Sequence, residues 1–290
     1  MNSNQLTEFD KLQLLDVRLE DDYRQAHISG AVHNCVFEMG FTDRLSDTAP
    51  EKQLTTVIYG AGGGSMEAQM AFEKLQRSGY SDVHILNGGI TAIPKDLLKI
   101  GETIPSPAQI SDGTRPIDLG ESRVGWTGRN LINKHHGTLA IQSGSLNFKN
   151  GKLTGGEIVL DLERIQCADL EGTDMHDILI SHLHDHDFFD VQNHPRATIK
   201  ITDARELPDA GAGAPNAEIT ADLSLRGQTH PITFTAVTGT TDEGNAAAQA
   251  TLSFDRTQWG VLYGSGKFFH RLAGHLVNDF IDLEVRIITN

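Results

Sequence analysis

The chain has 290 residues, with 24 Lys and Arg against 39 Asp and Glu, which gives a formal net charge of −15 at pH 7. This length predicts two domains of ordinary size, each with its own core. The acidic balance excludes the broad basic surface with which proteins hold nucleic-acid phosphates, so we expect no nucleic-acid partner.

Short apolar strands alternate with a helical pattern in the first 100 residues. The runs LQLLDV (12–17), TTVIY (55–59) and VHIL (83–86) predict strands, and residues 66–78 carry apolar or small side chains at helical spacing. Parallel strands need a crossover connection, usually a helix. The alternation therefore predicts an α/β domain with a parallel sheet over residues 1–100.

A segment rich in Pro, Gly and Ser, IGETIPSPAQISDG, follows and predicts a linker over residues 101–114. Beyond it the pattern changes to segments that alternate apolar with polar residues and have little helix between them. These segments are TLAIQ (138–142), GEIVLDL (156–162), ATIKI (197–201), AEITADLSL (217–225), PITFTAV (231–237), AQATLSF (248–254) and FIDLEVRI (280–287). They predict an all-β antiparallel domain, a sandwich or a barrel, over residues 115–290.

The N-terminal sequence lacks the basic start and the continuous apolar segment of a signal peptide. No stretch reaches the ~20 apolar residues that span a bilayer. Cys35 and Cys167 have no paired spacing, which is typical of small buried side chains in a reducing compartment. These features predict a cytoplasmic protein without a membrane span.

The stretch VIYGAGGGSMEA (57–68) passes from a strand through glycines into a helix, as turns that hold an anion or a nucleophile do. A phosphate-binding loop needs Lys and then Ser or Thr after its glycines, whereas Ser65 and Met66 follow Gly64. A dinucleotide fingerprint needs glycine where Ser65 stands and an acid that closes the next strand, which Asp82 instead precedes. The turn therefore fits neither nucleotide class.

The first 100 residues resemble a rhodanese domain. The matching segments are LLDVR from Leu14, EDDY from Glu20, AHISGA from Ala26, VIY from Val57 and GYSDVHILNGGI from Gly79. In that family the turn after the central strand begins with a Cys that accepts sulfur as a persulfide, and the corresponding residue here is Gly60. Sulfur transfer needs a thiolate held by backbone amides and a helix N-terminus, and Cys35 lies after a different turn. The resemblance thus implies an inactive module with no catalytic residue.

Two roles remain open for this turn. Its amides can form a nest for a small anion, or its glycines can simply close a tight turn in a domain that docks a protein partner. The residues of the nest are Gly60, Ala61, Gly62, Gly63, Gly64 and Ser65.

The second half resembles a YceI-like domain. The matching segments are GWTG from Gly125, HHGTL from His135, GKLTGGEIVLDL from Gly151, SHLHDHDFFDVQNHPRAT from Ser181, LSLRGQTHPI from Leu223 and FDRTQWGV from Phe254. The resemblance implies an eight-stranded antiparallel barrel of lipocalin-like shape, whose apolar cavity holds a polyisoprenoid chain in relatives. A barrel of about eight strands can hold one elongated ligand or be filled by its own side chains. Candidate cavity residues, each also compatible with core packing, are Trp126, His136, Phe148, Phe188, Phe189, Trp259 and Phe268.

A histidine-rich run resembles a metal-binding cluster. His182, His184 and His186 alternate between aspartates, with His176 and His194 on either side. On a strand His184 and His186 would share a face, but in a short helix they would lie about 200° apart and could not both bind one ion. We therefore assign the run no metal and expect it to form a structural cap over the barrel mouth.

A second pair of histidines, His135 and His136, lies beside the predicted start of a strand. The sequence shows no carboxylate and nucleophile near them that would complete a triad. It therefore does not support general acid–base catalysis.

Two functions of different classes follow. The first is a binding or carrier protein for an amphiphilic, polyisoprenoid-like lipid, with the rhodanese-like module as an accessory docking unit. This function requires no cofactor beyond a bound isoprenoid lipid or quinone. It is compatible with a protein partner that binds the rhodanese-like module and with a homodimer of the chain. The second is a sulfurtransferase or a quinone-linked redox or stress enzyme.

Overall fold

The computed structural model describes residues 11–101, 110–208, 210–211, 213–241, 243–272 and 275–290. The chain divides into two compact units, Met1–Ser106 and Pro107–Asn290, referred to below as the N-terminal and C-terminal units. Of the predicted linker, residues 102–109 lie outside the described ranges, and a strand begins at Gly113. Within the described ranges, no helix combines the length and the apolar character needed to cross a bilayer.

The N-terminal unit is an α/β domain with a parallel sheet, as predicted. Its elements are β1 (Gln13–Asp16), α1 (Glu20–Gln25), β2 (Ala26–Ile28), β3 (Val32–His33), α2 (Leu45–Thr48), β4 (Thr56–Tyr59), α3 (Met66–Arg77), β5 (Val83–Ile85) and β6 (Leu98–Ile100). The sheet has the order β3–β1–β4–β5, and every neighbouring pair is parallel. Strands β2 and β6 form a separate antiparallel pair.

Helix α3 packs its small and apolar face into one core of this unit. Ala68, Ala71 and Leu75 recur at three- and four-residue spacing, so they lie on one side of the helix, and all three are buried. Ala71 and Leu75 share this core with Leu15 of β1 and Ile58 of β4. Because α3 begins directly after the glycine turn, that turn lies between the carboxyl end of β4 and the start of a helix.

The C-terminal unit is a closed antiparallel barrel. Its elements are β7 (Gly113–Pro116), β8 (Arg123–Arg129), β9 (Lys134–Lys149), β10 (Lys152–Cys167), α4 (Asp174–His184), β11 (Arg196–Glu206), β12 (Ala217–Leu225), β13 (Gln228–Thr240), β14 (Ala246–Asp255) and β15 (Phe280–Ile288). Strands β8 to β15 pair in chain order, and β15 returns to β8, so eight strands close the ring. Strand β7 pairs with the second half of β9, whose first half pairs with β8.

The predicted eight-stranded barrel is therefore confirmed, although sequence alternation predicts β9 to β15 and omits β7 and β8. In β8 the glycines Gly125 and Gly128 interrupt the apolar pattern, and β7 is a four-residue strand that begins inside the predicted linker.

Strands β9 and β10 approach each other closely at one end of the barrel. Their register shifts between Asp161 and Gln166. A Cβ atom on Gly137 would lie 1.7 Å from the carbonyl oxygen of Gln166, so the approach requires glycine at this position. It brings the start of β9 against the loop that follows β10.

Candidate functional site

The barrel contains an apolar cavity of about 380 Å³ at one end. Its walls are inward-facing side chains of alternate residues, among them Leu139, Leu160, Leu162, Leu223, Phe254 and Leu283. This volume lies at the lower end of the range of about 300–1,000 Å³ that small-molecule sites occupy. The end of the barrel that holds this apolar cavity is referred to below as the mouth.

Helix α4 lines the apolar cavity with one face. Met175, Leu179, His182 and Leu183 are spaced four, three and one residues apart, so they lie on the same side of the helix and all border the cavity. The ring of His182 contacts the ring of Tyr263 edge-on, with their centres 4.3 Å apart. The helix that carries much of the histidine-rich run thus faces the mouth, where the sequence predicts a cap.

Polar side chains border the cavity at the mouth. These are Arg129, Asn130, His135, His275 and Asn278, and all are exposed or half-buried. The cavity therefore has an apolar interior and a polar entrance, which is the arrangement that suits an amphiphilic molecule.

Three of the predicted cavity residues border the apolar cavity. Trp126 lies in its wall and donates a hydrogen bond from Nε1 to the carbonyl of Gln166 at 2.9 Å. Phe188 and Phe189 follow α4 and form an edge-to-face pair with ring centres 4.8 Å apart. Trp259 packs edge-on against Phe254 from outside the lining.

The other predicted cavity residues lie outside the lining of the apolar cavity. Phe148 borders a second hollow of about 710 Å³ at the opposite end of the barrel, because β9 is long enough to reach both ends. Phe268 is 52% exposed on the loop between β14 and β15. His136 is exposed, whereas its neighbour His135 borders the cavity, because successive residues of a strand point to opposite faces.

A layer of buried side chains separates the apolar cavity from the rest of the barrel interior. On β11, β12 and β14, the layer consists of Ile199, Ala221 and Leu252. These three residues border neither the apolar cavity, nor the second hollow, nor the small void beyond them. On each of these strands, the next inward-facing residue, two positions closer to the opposite end of the barrel, borders a small void of about 50 Å³. The hollow at the mouth is thus bounded at its inner end by these side chains, which are called the floor layer below.

Arg256 is a fully buried cation beside the cavity. Its guanidinium donates hydrogen bonds to the carbonyl oxygens of Asn278, Val261, Tyr263 and Val277 at 2.6–3.2 Å. Burial lowers the pKa of the Arg256 guanidinium, although nearby aspartates oppose this shift. The side chain therefore holds together the loop segments between β14 and β15 that border the mouth.

The histidine-rich run does not assemble into one cluster. Four of its five histidines each lie beside a different carboxylate: His176 beside Asp177, His182 beside Asp187, His186 beside Asp185, and His194 beside Asp190. Within residues 176–194, all of which are described, no three ligating groups converge. The helical geometry explains this dispersal, because α4 extends to His184 and turns alternate residues in different directions.

A different polar cluster forms where β9 meets the loop after β10. The carboxylate of Asp169 accepts the backbone N–H of His136 at 2.8 Å and contacts Nδ1 of His135 at 2.8 Å. The thiol of Cys167 donates to the same carboxylate at 3.4 Å. A carboxylate and a thiol that are distant in the sequence therefore lie beside His135 and His136 in the fold.

The charges of this cluster follow from its contacts. Burial opposes ionisation of Asp169, but the His136 N–H, the His135 ring and the Cys167 thiol together lower the pKa of its carboxyl to about 2. Burial and the adjacent carboxylate raise the pKa of the Cys167 thiol. The thiol hydrogen-bonds directly to the carboxylate, and a protonated thiol is a poor nucleophile, so the arrangement does not form a catalytic triad.

The glycine turn of the N-terminal unit is occupied by a side chain of its own helix. Glu67, in the first turn of α3, accepts the backbone N–H of Ala61 at 2.8 Å. An ideal Cβ at Gly60 would lie 2.1 Å from Ser65 Oγ and 2.6 Å from Glu67 Oε1. Burial opposes ionisation of Glu67, yet backbone N–H donors lower the pKa of its carboxyl below the usual range. Cys35 is buried and lies outside this turn.

Comparisons with known proteins match the two units separately. A family model described as "YceI-like domain" matches residues 116–288, and one described as "Rhodanese-like domain" matches residues 3–96. No curated protein matches the chain.

Solved structures also resemble parts of the chain. Burkholderia cenocepacia BcnA is 16% identical, with 60% of this chain and 99% of that chain covered, at a TM-score of 0.47. A polyisoprenoid binding domain from Saccharophagus degradans is 12% identical, with coverage of 62% and 99% and a TM-score of 0.46. The Rhodanese_3 like domain of the Alr3790 protein from Anabaena sp. is 32% identical, with coverage of 28% and 88% and a TM-score of 0.26.

Proposed function

The chain belongs to the YceI-like family, and from that premise we propose that its barrel binds and carries an amphiphilic, polyisoprenoid-like lipid in the apolar cavity. One observation carries the proposal: a hollow of about 380 Å³ is walled by apolar side chains and opens among polar ones. Burial of apolar surface contributes about 25 cal/mol per Å². The apolar tail of a lipid is therefore stabilised in this hollow, while the polar head of the lipid stays at the mouth.

Exposed apolar side chains beside the mouth support transfer of such a lipid. Leu131 and Ile132 are 66% and 85% exposed in the turn between β8 and β9, directly after Asn130 of the cavity entrance. Met175 of α4 borders the cavity and is itself more than half exposed. A lipid tail that enters the cavity would meet these apolar side chains beside its entrance.

We further assign the rhodanese-like domain a non-catalytic role as a docking unit. Gly60 supplies no nucleophile at the position of the persulfide-forming Cys, and the Glu67 carboxylate accepts an amide N–H of the turn. An anion in the turn would meet that negative charge at close range. The purified chain should therefore show no turnover of thiosulfate and cyanide, and turnover at the rate of active rhodaneses would overturn this assignment.

The lipid proposal is tested by native mass spectrometry and lipid extraction on the full chain purified from its own host. We expect a one-to-one complex with an isoprenoid-class lipid. Ala197→Trp should expel the lipid because Ala197 borders the apolar cavity, whereas Ala204→Trp, on the same strand at the opposite end, should retain it. A wild-type protein without lipid, or equal lipid in both variants, would contradict the proposal.

A further inference from the structure

The cluster at the mouth brings three kinds of metal-ligating side chain together. The nearest ligating atoms of His135, Cys167 and Asp169 all lie within 4.8 Å of one another. Within the described part of the chain, no other group of three such residues meets this condition. The remaining histidine–carboxylate pairs lack a thiol, so this cluster differs from them in kind.

We propose that His135, Cys167 and Asp169 form a site for a divalent cation of the zinc class, with a fourth position open to water or to a ligand oxygen. Imidazole nitrogen, thiolate sulfur and carboxylate oxygen are the ligands that zinc takes, at about 2.0–2.3 Å. Tetrahedral geometry with those bond lengths places ligand atoms roughly 3.4–3.7 Å apart. The observed separations from the Asp169 carboxylate, 2.8 Å to His135 Nδ1 and 3.4 Å to Cys167 Sγ, need only small movements to meet it.

The charges of the cluster favour a dication. When the ion binds, the Cys167 thiol transfers its proton to solvent as the sulfur–metal bond forms. One thiolate and one carboxylate then neutralise the two positive charges of the ion. Cys167 is 1% exposed, and a thiolate buried to this degree without a counter-charge is unfavourable, so the ion would supply the missing partner.

The surroundings hold the ligands in place and leave an entrance. The backbone N–H of His136 orients the Asp169 carboxylate, and the N–H of Ala168 donates to the carbonyl of His136 at 2.8 Å, which fixes the loop against β9. The side chains of His135 and Asp169 are 36% and 23% exposed, so an ion can reach them from solvent. Because His135 also borders the apolar cavity, the open position lies near the entrance that a lipid head group would occupy.

The first test is titration of the metal-free full chain with Co²⁺ under reducing, oxygen-free conditions. We expect one equivalent to bind with tetrahedral d–d bands and a thiolate-to-cobalt charge-transfer band, and Zn²⁺ to displace it. Cys167→Ser should abolish the charge-transfer band and weaken binding by more than about 100-fold, since even loss of a group beside the ligands typically costs about 10–100-fold. Asp169→Asn should weaken binding in the same direction.

Two matched control variants leave all three ligands in place. Cys35→Ser removes the other buried cysteine, and His186→Ala removes a histidine paired with a carboxylate but no thiol, so both should bind cobalt like the wild type. X-ray absorption of the zinc-loaded wild type gives a readout that needs no variant, and we expect one sulfur scatterer. Absence of that scatterer, cobalt binding without the charge-transfer band, or a band that persists in Cys167→Ser would overturn the site. None of these readouts depends on lipid binding.

Discussion

The floor layer sets the length of lipid tail that the apolar cavity can accept, and Leu252→Ala tests this. Leu252 is 6% exposed and stands between the cavity of about 380 Å³ and the void of about 50 Å³. Its replacement by Ala removes three carbons from the layer. We expect the variant to accept a longer isoprenoid tail than the wild type does.

The magnitude follows from the space that is opened. Burial of one methylene contributes about 0.8 kcal/mol, so three further lipid carbons add about 2.4 kcal/mol, or about 50-fold in affinity. The empty variant loses about 2–5 kcal/mol in its free energy of unfolding, because a truncated core side chain leaves a cavity. The longer lipid should restore part of that loss.

The assay is a series of dissociation constants for prenyl alcohols that lengthen by one five-carbon unit. In the wild type, affinity should stop rising at a certain length. In Leu252→Ala the next unit should still raise affinity, because about three of its five carbons fit the space that is opened. Leu45→Ala, a buried truncation in the N-terminal unit, should cost similar stability and leave the length limit unchanged. An identical length limit in wild type and a folded Leu252→Ala would refute the role of the floor layer.

Variants at three other sites test the remaining contacts. Gly60→Cys alone should form no persulfide with thiosulfate, as mass spectrometry can show, because Ser65 Oγ and Glu67 Oε1 both lie within 2.6 Å of the added Cβ, whereas Gly60→Cys with Ser65→Ala and Glu67→Ala should form one. In metal-free protein, the ionised Asp169 carboxylate should contribute about 2 kcal/mol to the free energy of unfolding above about pH 4, because its folded pKa of about 2 is below the usual 3.8. This contribution should disappear as the pH falls towards about 2. Urea unfolding of Asp169→Asn should show no such pH dependence. Arg256→Met should lower the free energy of unfolding by about 3 kcal/mol or more, since it leaves buried carbonyls without donors, measured by the same method.

Each of these variants has a result that contradicts its premise. Persulfide on the single Gly60→Cys variant would show that Ser65 and Glu67 do not obstruct the turn. Parallel pH profiles for wild type and Asp169→Asn would show that the carboxylate is not held in its charged form. As a control, Arg205→Met removes an exposed ion pair with Glu218 and should change the free energy of unfolding by less than about 1 kcal/mol. If Arg256→Met lowered the free energy of unfolding by no more than this control, the role of the buried arginine would be contradicted.

Local patterns predict much of the fold. Strand β12 occupies the predicted segment 217–225, and β15 begins at the predicted Phe280, because a half-buried strand must alternate apolar with polar residues. Short-range spacing also places Gly60, because the segments that resemble a rhodanese domain put it directly after β4 at the start of the turn. The sequence proposes Trp126 and Phe148 as cavity residues, but it cannot show that they border hollows at opposite ends of the barrel.

Local sequence patterns do not predict the cluster at the mouth. A hairpin centred on Asn150 and Gly151 predicts that His135 lies near Gln166 in the partner strand. The register shifts of β9 and β10, and the glycine contact that allows them, then decide that Asp169 meets both histidines. Such shifts depend on packing across the barrel and leave no local signature in the sequence.

The carboxylate within the rhodanese-like turn bears on which residues position 60 can hold. Glu67 accepts an amide N–H of the turn, and both its Oε1 and Ser65 Oγ stand where a side chain from position 60 would project. Any residue other than glycine must therefore displace two neighbours from its own chain. The shape of the turn and the identity of the residue that opens it thus depend on each other.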